Sequence, residues 1–271
     1  MLGAIIGDIA GSMYESKRYR IKTKNFPFFG KYCRFTDDTV CTIAVADILL
    51  HDLPPAETMQ AWCRRYHGRG YGGMFRKWRD SDVPEPYDSY GNGAAMRVSP
   101  AAFLNRDDLE AALSASDKVT EITHNHPEGM KGARATTHAI WLAFQGKNPA
   151  DIRRTITTEY DYDLTQTVDE IRSDYPPEYP PVFTPGFPGP VTCMGSVPQA
   201  ITCALESVSY EDAVRNAISL GGDSDTLAAI AGPVAEALHG IPGDLIEQTK
   251  EQYLTDAQDI LEVIEKMFQI D

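Results

Sequence analysis

Phe35-Thr36-Asp37-Asp38-Thr39 and Gly221-Gly222-Asp223-Ser224-Asp225-Thr226 decide how this chain folds and where its chemistry lies. Each opens a run of apolar residues at helical spacing: Val40, Ile43, Ala44 and Ile48 after the first, and Leu227, Ile230, Ala231, Val234 and Leu238 after the second. Both therefore put carboxylates and a hydroxyl at a helix N-terminus. A single Asp or Thr there is an ordinary cap, favoured by the unpaired N–H groups and the positive end of the helix dipole. Capping uses one side chain per helix end, however, and the acids here are doubled at both ends. If the two starts meet, their carboxylates repel one another unless cations sit between them. The stretches read as two halves of one metal site.

Upstream of the first half, residues 3 to 15 predict a helix with Gly3, Gly7 and Gly11 along one ridge and Ile5, Ile6, Ile9 and Met13 as the apolar stripe. Glycine costs a helix about 1 kcal/mol against alanine, so three on one ridge imply close approach of another helix or of a ligand. Asp8, Ser12 and Glu15 then share a face. Glu15 reads either as a solvated helix end or as part of the site. Lys17, Arg18, Arg20, Lys22 and Lys24 form the only dense basic run, which is either a solvated surface or a contact for phosphate groups.

Between the halves, Gly91-Asn92-Gly93-Ala94-Ala95-Met96-Arg97 sets flexible backbone ahead of small residues, suited to a turn or to a ligand's close approach. Thr123-His124-Asn125-His126-Pro127 carries two histidines on a non-helical segment without zinc spacing, so hydrogen bonds to a ligand or within the loop are expected. Stretches around 71–73 and 84–93 read as loops. Helical patterns cover Ala56 to Tyr66, Leu109 to Ile122, Ala133 to Phe144, 149 to 159, 164 to 173, Val197 to Leu205, Ala213 to Ile218 and Leu254 to Phe268. His138 reads as a packing or surface histidine. Pro233 is expected to kink or split the second acidic helix. The proline-rich stretch 176 to 190 excludes helix and suits a lid, a partner-binding segment or a linker. No alternating strand pattern competes, so the fold class is all-α, with a compact multi-helix core.

The 271 residues, 42% hydrophobic and 24% charged, suit one large globular domain spanning 1–271. A formal net charge of -14 excludes general attraction to nucleic acid or an anionic membrane. The opening residues Met1 to Asp8 lack a basic segment and meet an acid early, so neither a signal peptide nor a spanning helix is expected, and a cytoplasmic location is the expectation. Cys33, Cys41, Cys63, Cys193 and Cys203 show no pairing pattern and read as reduced thiols.

Gly3-Ala4-Ile5-Ile6-Gly7-Asp8 with Glu15, the Phe35 to Thr39 stretch, Gly91-Asn92-Gly93 with Ala95-Met96-Arg97, Thr123-His124, and Gly222 to Thr226 follow the order seen in ADP-ribosylglycohydrolases. The chain resembles that family over most of its length. The resemblance implies an orthogonal multi-helix bundle with a binuclear metal cleft, holding two Mg2+ or Mn2+ ions, with ADP-ribose or an ADP-ribosylated substrate above them. It implies Thr36, Asp37, Asp38, Asp223, Asp225 and Thr226 as metal ligands, in keeping with the preference of hard divalent cations for oxygen. It implies Gly91, Asn92, Gly93, Met96, Arg97 and His124 as substrate-binding residues, and Glu15 as the acid near the scissile bond, with Glu15 or Asp38 assisting proton transfer.

The implied reaction is hydrolysis at the anomeric carbon of the distal ribose through an oxocarbenium-like state, with the vicinal hydroxyls held at the metals. Which carboxylate acts as acid and which as base stays open, as does the acceptor. A monomer is expected. Relatives often carry a tyrosine where this chain reads Gly195-Ser196-Val197, so an aromatic contact to adenine or ribose is either missing or supplied elsewhere, with Tyr179, Phe183 or Phe187 as candidates. Two rival readings are a non-catalytic ADP-ribose-binding or structural family member, and a metal-dependent nucleotide pyrophosphohydrolase that would release AMP.

Overall fold

The computed structural model describes residues 1–175 and 189–269, and every regular element among them is a helix. In chain order these are α1 (Leu2–Ser12), α2 (Asp37–His51), α3 (Pro55–Arg65), α4 (Gly73–Arg79), α5 (Gly93–Met96), α6 (Ser99–Leu104), α7 (Leu109–Thr120) and α8 (Pro127–Phe144). There follow α9 (Pro149–Tyr160), α10 (Val168–Asp174), α11 (Cys193–Leu205), α12 (Tyr210–Ile218), α13 (Ser224–His239), α14 (Gly243–Tyr253) and α15 (Gln258–Phe268).

Helices α1 and α13 form the centre. Leu2 to Gly11 are all buried, as are Ser224 to Ala235, and helices apolar on every side belong in a core. They pack on each other and, through α13, on α8, α11 and α12. The glycine ridge is what lets them touch: a Cβ at Gly7 would lie 2.3 Å from Ala228 O, and one at Gly11 would lie 2.5 Å from Ser224 O. The ridge therefore serves helix approach, and that approach sets Asp8 beside the first turn of α13.

The second acidic helix is not split at Pro233, since α13 runs unbroken to His239. Packing on all sides outweighs the one backbone bond that proline removes. Helix α1, in contrast, ends at Ser12 and not at residue 15. The chain turns there, with Tyr14 N donating to Gly11 O at 2.8 Å and the Tyr14 hydroxyl donating to Pro27 O at 2.7 Å. Glu15 thus sits in the turn beyond the helix. Helices α4, α5, α6 and α14 have no counterpart in the periodicity reading. Helix α4 begins in a glycine pair and forms because Phe75 and Trp78 find burial, which is a tertiary cause.

The basic run divides: Lys17 and Arg18 are exposed, while Lys22 and Lys24 are engaged within the molecule. Lys22 Nζ donates to Arg172 O at 2.7 Å and Tyr175 O at 2.6 Å, and Lys24 pairs with Asp212, so this segment ties the end of α1 to α10 and α12. His138 is buried, with Nδ1 3.1 Å from the Tyr160 hydroxyl, which makes it a packing histidine. The five cysteines are all buried and unpaired. Residues 176–188, with most of the stretch read as a lid and with Tyr179, Phe183 and Phe187, lie outside the described residues. Among the described residues no helix is long and apolar enough to cross a membrane.

Candidate metal centre and substrate cleft

The starts of α2 and α13 do meet, with Thr226 Oγ1 3.5 Å from Asp38 Oδ2. Asp8, Asp38 and Asp225 each offer a carboxylate oxygen within 4.8 Å of the others, and Glu15, Asp223 and Asp225 form a second such group. Asp225 belongs to both. Asp8, absent from the sequence-level site, is the organiser of this floor. It accepts from Thr36 N at 2.8 Å, Thr36 Oγ1 at 2.6 Å, Thr39 N at 3.1 Å and the Thr39 hydroxyl, and so holds the first turn of α2 from across the α1 interface. Its sequence signal was its place on the face shared with Glu15, set among glycines.

So many acids in so little water raise one another's pKa. Burial comes first in every case: it raises Asp8 and Asp223 to about 6 and Asp37 to about 8, and lifts Asp38 and Asp225 well above the carboxylate range. Neighbouring charge adds to this, from Asp8 on Asp37 and Asp38, and from Glu15 on Asp223 and Asp225. Glu15 is exposed at the cleft mouth, yet the wall around it still raises its carboxyl by burial, while Arg34 and Arg20 draw it back down. Asp38 Oδ1 is buried and has no hydrogen-bond partner among the described residues. An ionised oxygen left so is costly, and a cation beside it removes the cost. The donors are carboxylate and hydroxyl oxygens, so the residues present fit a hard divalent ion.

Asp37 is half-buried on the wall and belongs to neither carboxylate group. Its N–H donates to Arg69 O at 2.9 Å, and Gly70, at φ +114°, lies where a Cβ would come within 2.9 Å of Asp37 Oδ1. Only glycine suits that close, left-handed turn.

Every residue expected at the site lines one cleft of about 420 Å³: Glu15, Thr36, Asp37, Asp38, the Gly91 to Gly93 turn, Met96, Arg97, His124, Asp223, Asp225 and Thr226. The turn is held by an isolated bridge between Gly91 and Thr192, with Asn92 N donating to Val191 O and Cys193 N to Tyr90 O, each at 3.0 Å. The Asn92 amide donates to Asp223 Oδ2 at 2.6 Å and Ser196 Oγ at 3.0 Å, so the loop is tied to the acidic floor. Ser196, which stands where relatives were expected to carry an aromatic, thus supports Asn92. Among the described residues the aromatic lining comes from Phe75 and Tyr87, beside the exposed Met74 and Val191 at the rim. Tyr87 stands four residues before Gly91, in the loop that leads to the glycine turn, and nothing in its spacing marks it.

Arg34 and Arg69 also line the cleft, and Arg69 stacks on Phe35 with Cζ 3.5 Å from the ring centroid. Arg97 is wholly buried, and its Nη2 donates to Val119 O at 3.1 Å and Thr123 Oγ1 at 2.7 Å. His124 is buried beside it, with Nδ1 2.7 Å from Thr123 Oγ1; burial and then the Arg97 charge hold its pKa well below 6.5. His126 plays the local part: its ring accepts from Glu128 N at 3.1 Å and caps α8.

This fold and this site define a class of all-α proteins built around a carboxylate-floored cleft between two helix starts. The ADP-ribosylglycohydrolase family model matches residues 1–270, and the chain belongs to that family. It is 27% identical to the ADP-ribosylhydrolase ARH3 of Bos taurus, across 89% of this chain and 84% of that one, and equally to its Homo sapiens counterpart with the same coverage. The ADP-ribosylarginine hydrolase Tri1 of Pseudomonas putida (strain GB-1) is 25% identical across 90% of this chain and 70% of its own length. A solved structure of an "ADP-ribosylglycohydrolase-related protein complex" superposes with a TM-score of 0.71 at 19% identity, covering 99% of this chain and 95% of that one, and so shares the fold.

Proposed function

We propose that this protein is a divalent-metal-dependent hydrolase that cleaves the glycosidic bond between ADP-ribose and a modified acceptor, releasing ADP-ribose. The observation that carries this reading is the pair of carboxylate groups sharing Asp225, the first of which includes Asp38, whose Oδ1 is buried and has no hydrogen-bond partner among the described residues. Thr36, Asp37, Asp38, Asp223, Asp225 and Thr226 are the residues that would hold two Mg2+ or Mn2+ ions, with Asp8 as their support. Bound there, the cations supply charge neutralisation and Lewis-acid polarisation of coordinated oxygens.

The chain's own residues do the rest. The Gly91 to Gly93 turn, with Met96 beside it, lets the ligand approach closely, and Asn92 fixes that turn to Asp223. Phe75, Tyr87, Met74 and Val191 cover apolar ligand surface and exclude water from one side of the cleft. Glu15 stands at the mouth with a raised pKa, so it is suited to hold a proton near the scissile bond, with Asp38 as the second carboxylate available for proton transfer. The acceptor is whatever reaches the anomeric carbon past Glu15. We read residues 1–271 as one domain acting as a cytoplasmic monomer.

The test is incubation with Mg2+ and ADP-ribosylated arginine, serine and nucleic-acid substrates, with products identified by mass. Free ADP-ribose that disappears on adding EDTA supports the reading. Release of AMP identifies a pyrophosphohydrolase instead, and binding of ADP-ribose with no product identifies a silent binding module.

A further inference from the structure

Three buried side chains form a chain of hydrogen bonds ending at the cleft: Arg97 Nη2 to Thr123 Oγ1 at 2.7 Å, and Thr123 Oγ1 to His124 Nδ1 at 2.7 Å. The directions follow from donor chemistry. A guanidinium has no acceptor atom, so Arg97 donates and the Thr123 hydroxyl accepts. That hydroxyl carries one hydrogen, and Thr123 is fully buried, with His124 Nδ1 as the acceptor left to it among the described residues. If Nδ1 carried the proton, the hydroxyl hydrogen would have no acceptor in a water-free place, a loss of the kind native interiors avoid.

Nδ1 therefore accepts. The ring is neutral, because burial and the adjacent guanidinium both oppose imidazolium, and its one proton must sit on Nε2. Nε2 has no partner among the described residues and lies against the glycine turn: a Cβ at Gly93 would be 3.2 Å from it, and one at Gly91 would be 3.5 Å. It is the ring atom that meets a ligand in the cleft.

Building on the proposed function, we propose that Arg97 and Thr123 are positioning residues that lock His124 as an Nε2–H donor beside the Gly91 to Gly93 turn, for an oxygen of the bound nucleoside diphosphate sugar. Arg97, expected from the sequence to touch the ligand and set in the cleft lining with no exposed surface, acts through this chain. A neutral donor of fixed tautomer suits an anionic or hydroxylic ligand at any pH near neutrality, because it neither titrates nor needs to turn over its ring.

The experiment uses the full-length protein labelled with 15N-histidine, as wild type, Thr123→Val and Thr123→Ser, with the His124 signal assigned by its loss in His124→Gln. Long-range 1H–15N spectra are expected to show wild-type His124 as the Nε2–H tautomer without titration across about pH 5 to 8. Thr123→Val is expected to mix the tautomers and to raise the Kd for ADP-ribose, and KM for a cleaved substrate, roughly tenfold, with kcat within about twofold. Thr123→Ser is expected to restore both readouts. A wild-type ring protonated on Nδ1, or a Thr123→Val protein with unchanged tautomer and unchanged affinity, overturns the proposal. The tautomer is read without any turnover, so an inactive wild type would sink the functional reading while leaving this one to be decided by the spectra.

Discussion

Thr36 donates to Asp8 twice, from its backbone N–H to Oδ2 at 2.8 Å and from its hydroxyl to Oδ1 at 2.6 Å, so a carboxylate on α1 holds the first turn of α2. With the two bonds from Thr39, Asp8 satisfies four buried donors. Asp8→Ala should therefore destabilise the protein by about 3–5 kcal/mol, since it strands those donors, and should also weaken binding of Mg2+. Urea unfolding and metal titration check this. An unchanged unfolding midpoint would remove Asp8 from its supporting role.

Asp225 lies in both carboxylate groups. Asp225→Ala should abolish ADP-ribose release, and the stabilisation by Mg2+ should vanish with it. At a metal concentration about 100 times its Kd that stabilisation is about 2.7 kcal/mol in the wild type. The metal-free variant should be no less stable than the metal-free wild type, because one repelling carboxyl has gone. Thermal melts with and without Mg2+ separate these outcomes, and a variant still stabilised by Mg2+ would place the cations elsewhere.

Without metal, stability should fall as pH rises. Burial holds Asp8 and Asp223 at about 6 and Asp37 at about 8 in the folded chain, above the ordinary 3.8. Between roughly pH 4 and pH 8 the folded state thus binds more protons than the unfolded one, and their loss removes stability as pH rises through that window. Mg2+ binds the deprotonated forms, so the shift in Tm on adding it should be a few degrees larger, roughly, at pH 8 than at pH 5. Equal shifts at both pH values would contradict the buried-acid account.

Gly7→Ala should cost about 1–3 kcal/mol or more, since its Cβ would lie 2.3 Å from Ala228 O, a backbone atom that moves only with α13. Gly68→Ala is the control: no atom lies within 4 Å of its Cβ position, so the change should stay within about 0.5 kcal/mol. Chemical denaturation of both variants compares them directly. The Gly7 variant should also lose activity, because α1 carries Asp8.

The fold class was legible because helix periodicity is local: the apolar runs after Asp38 and Thr226 give α2 and α13 without reference to anything distant. Helix α4 was not legible, because its glycine start opposes helix and only the burial of Phe75 and Trp78 offsets that. The helix end at Ser12 was missed for a like reason, since the Tyr14 contact to Pro27 O that accompanies the turn depends on a loop yet to fold.

By itself the sequence determined that acids are doubled at two helix starts and that a glycine turn and a Thr-His pair lie between them. Residue type and spacing suffice for that. Tertiary structure alone decided that Asp8 underlies the acidic floor, that Ser196 braces Asn92, that Phe75 and Tyr87 face the cleft, and that Arg97 lies behind His124. The physical reason is the packing of α1 on α13: what a carboxylate or guanidinium does depends on which donors, acceptors and waters remain around it once those helices have met, and spacing along the chain does not encode that.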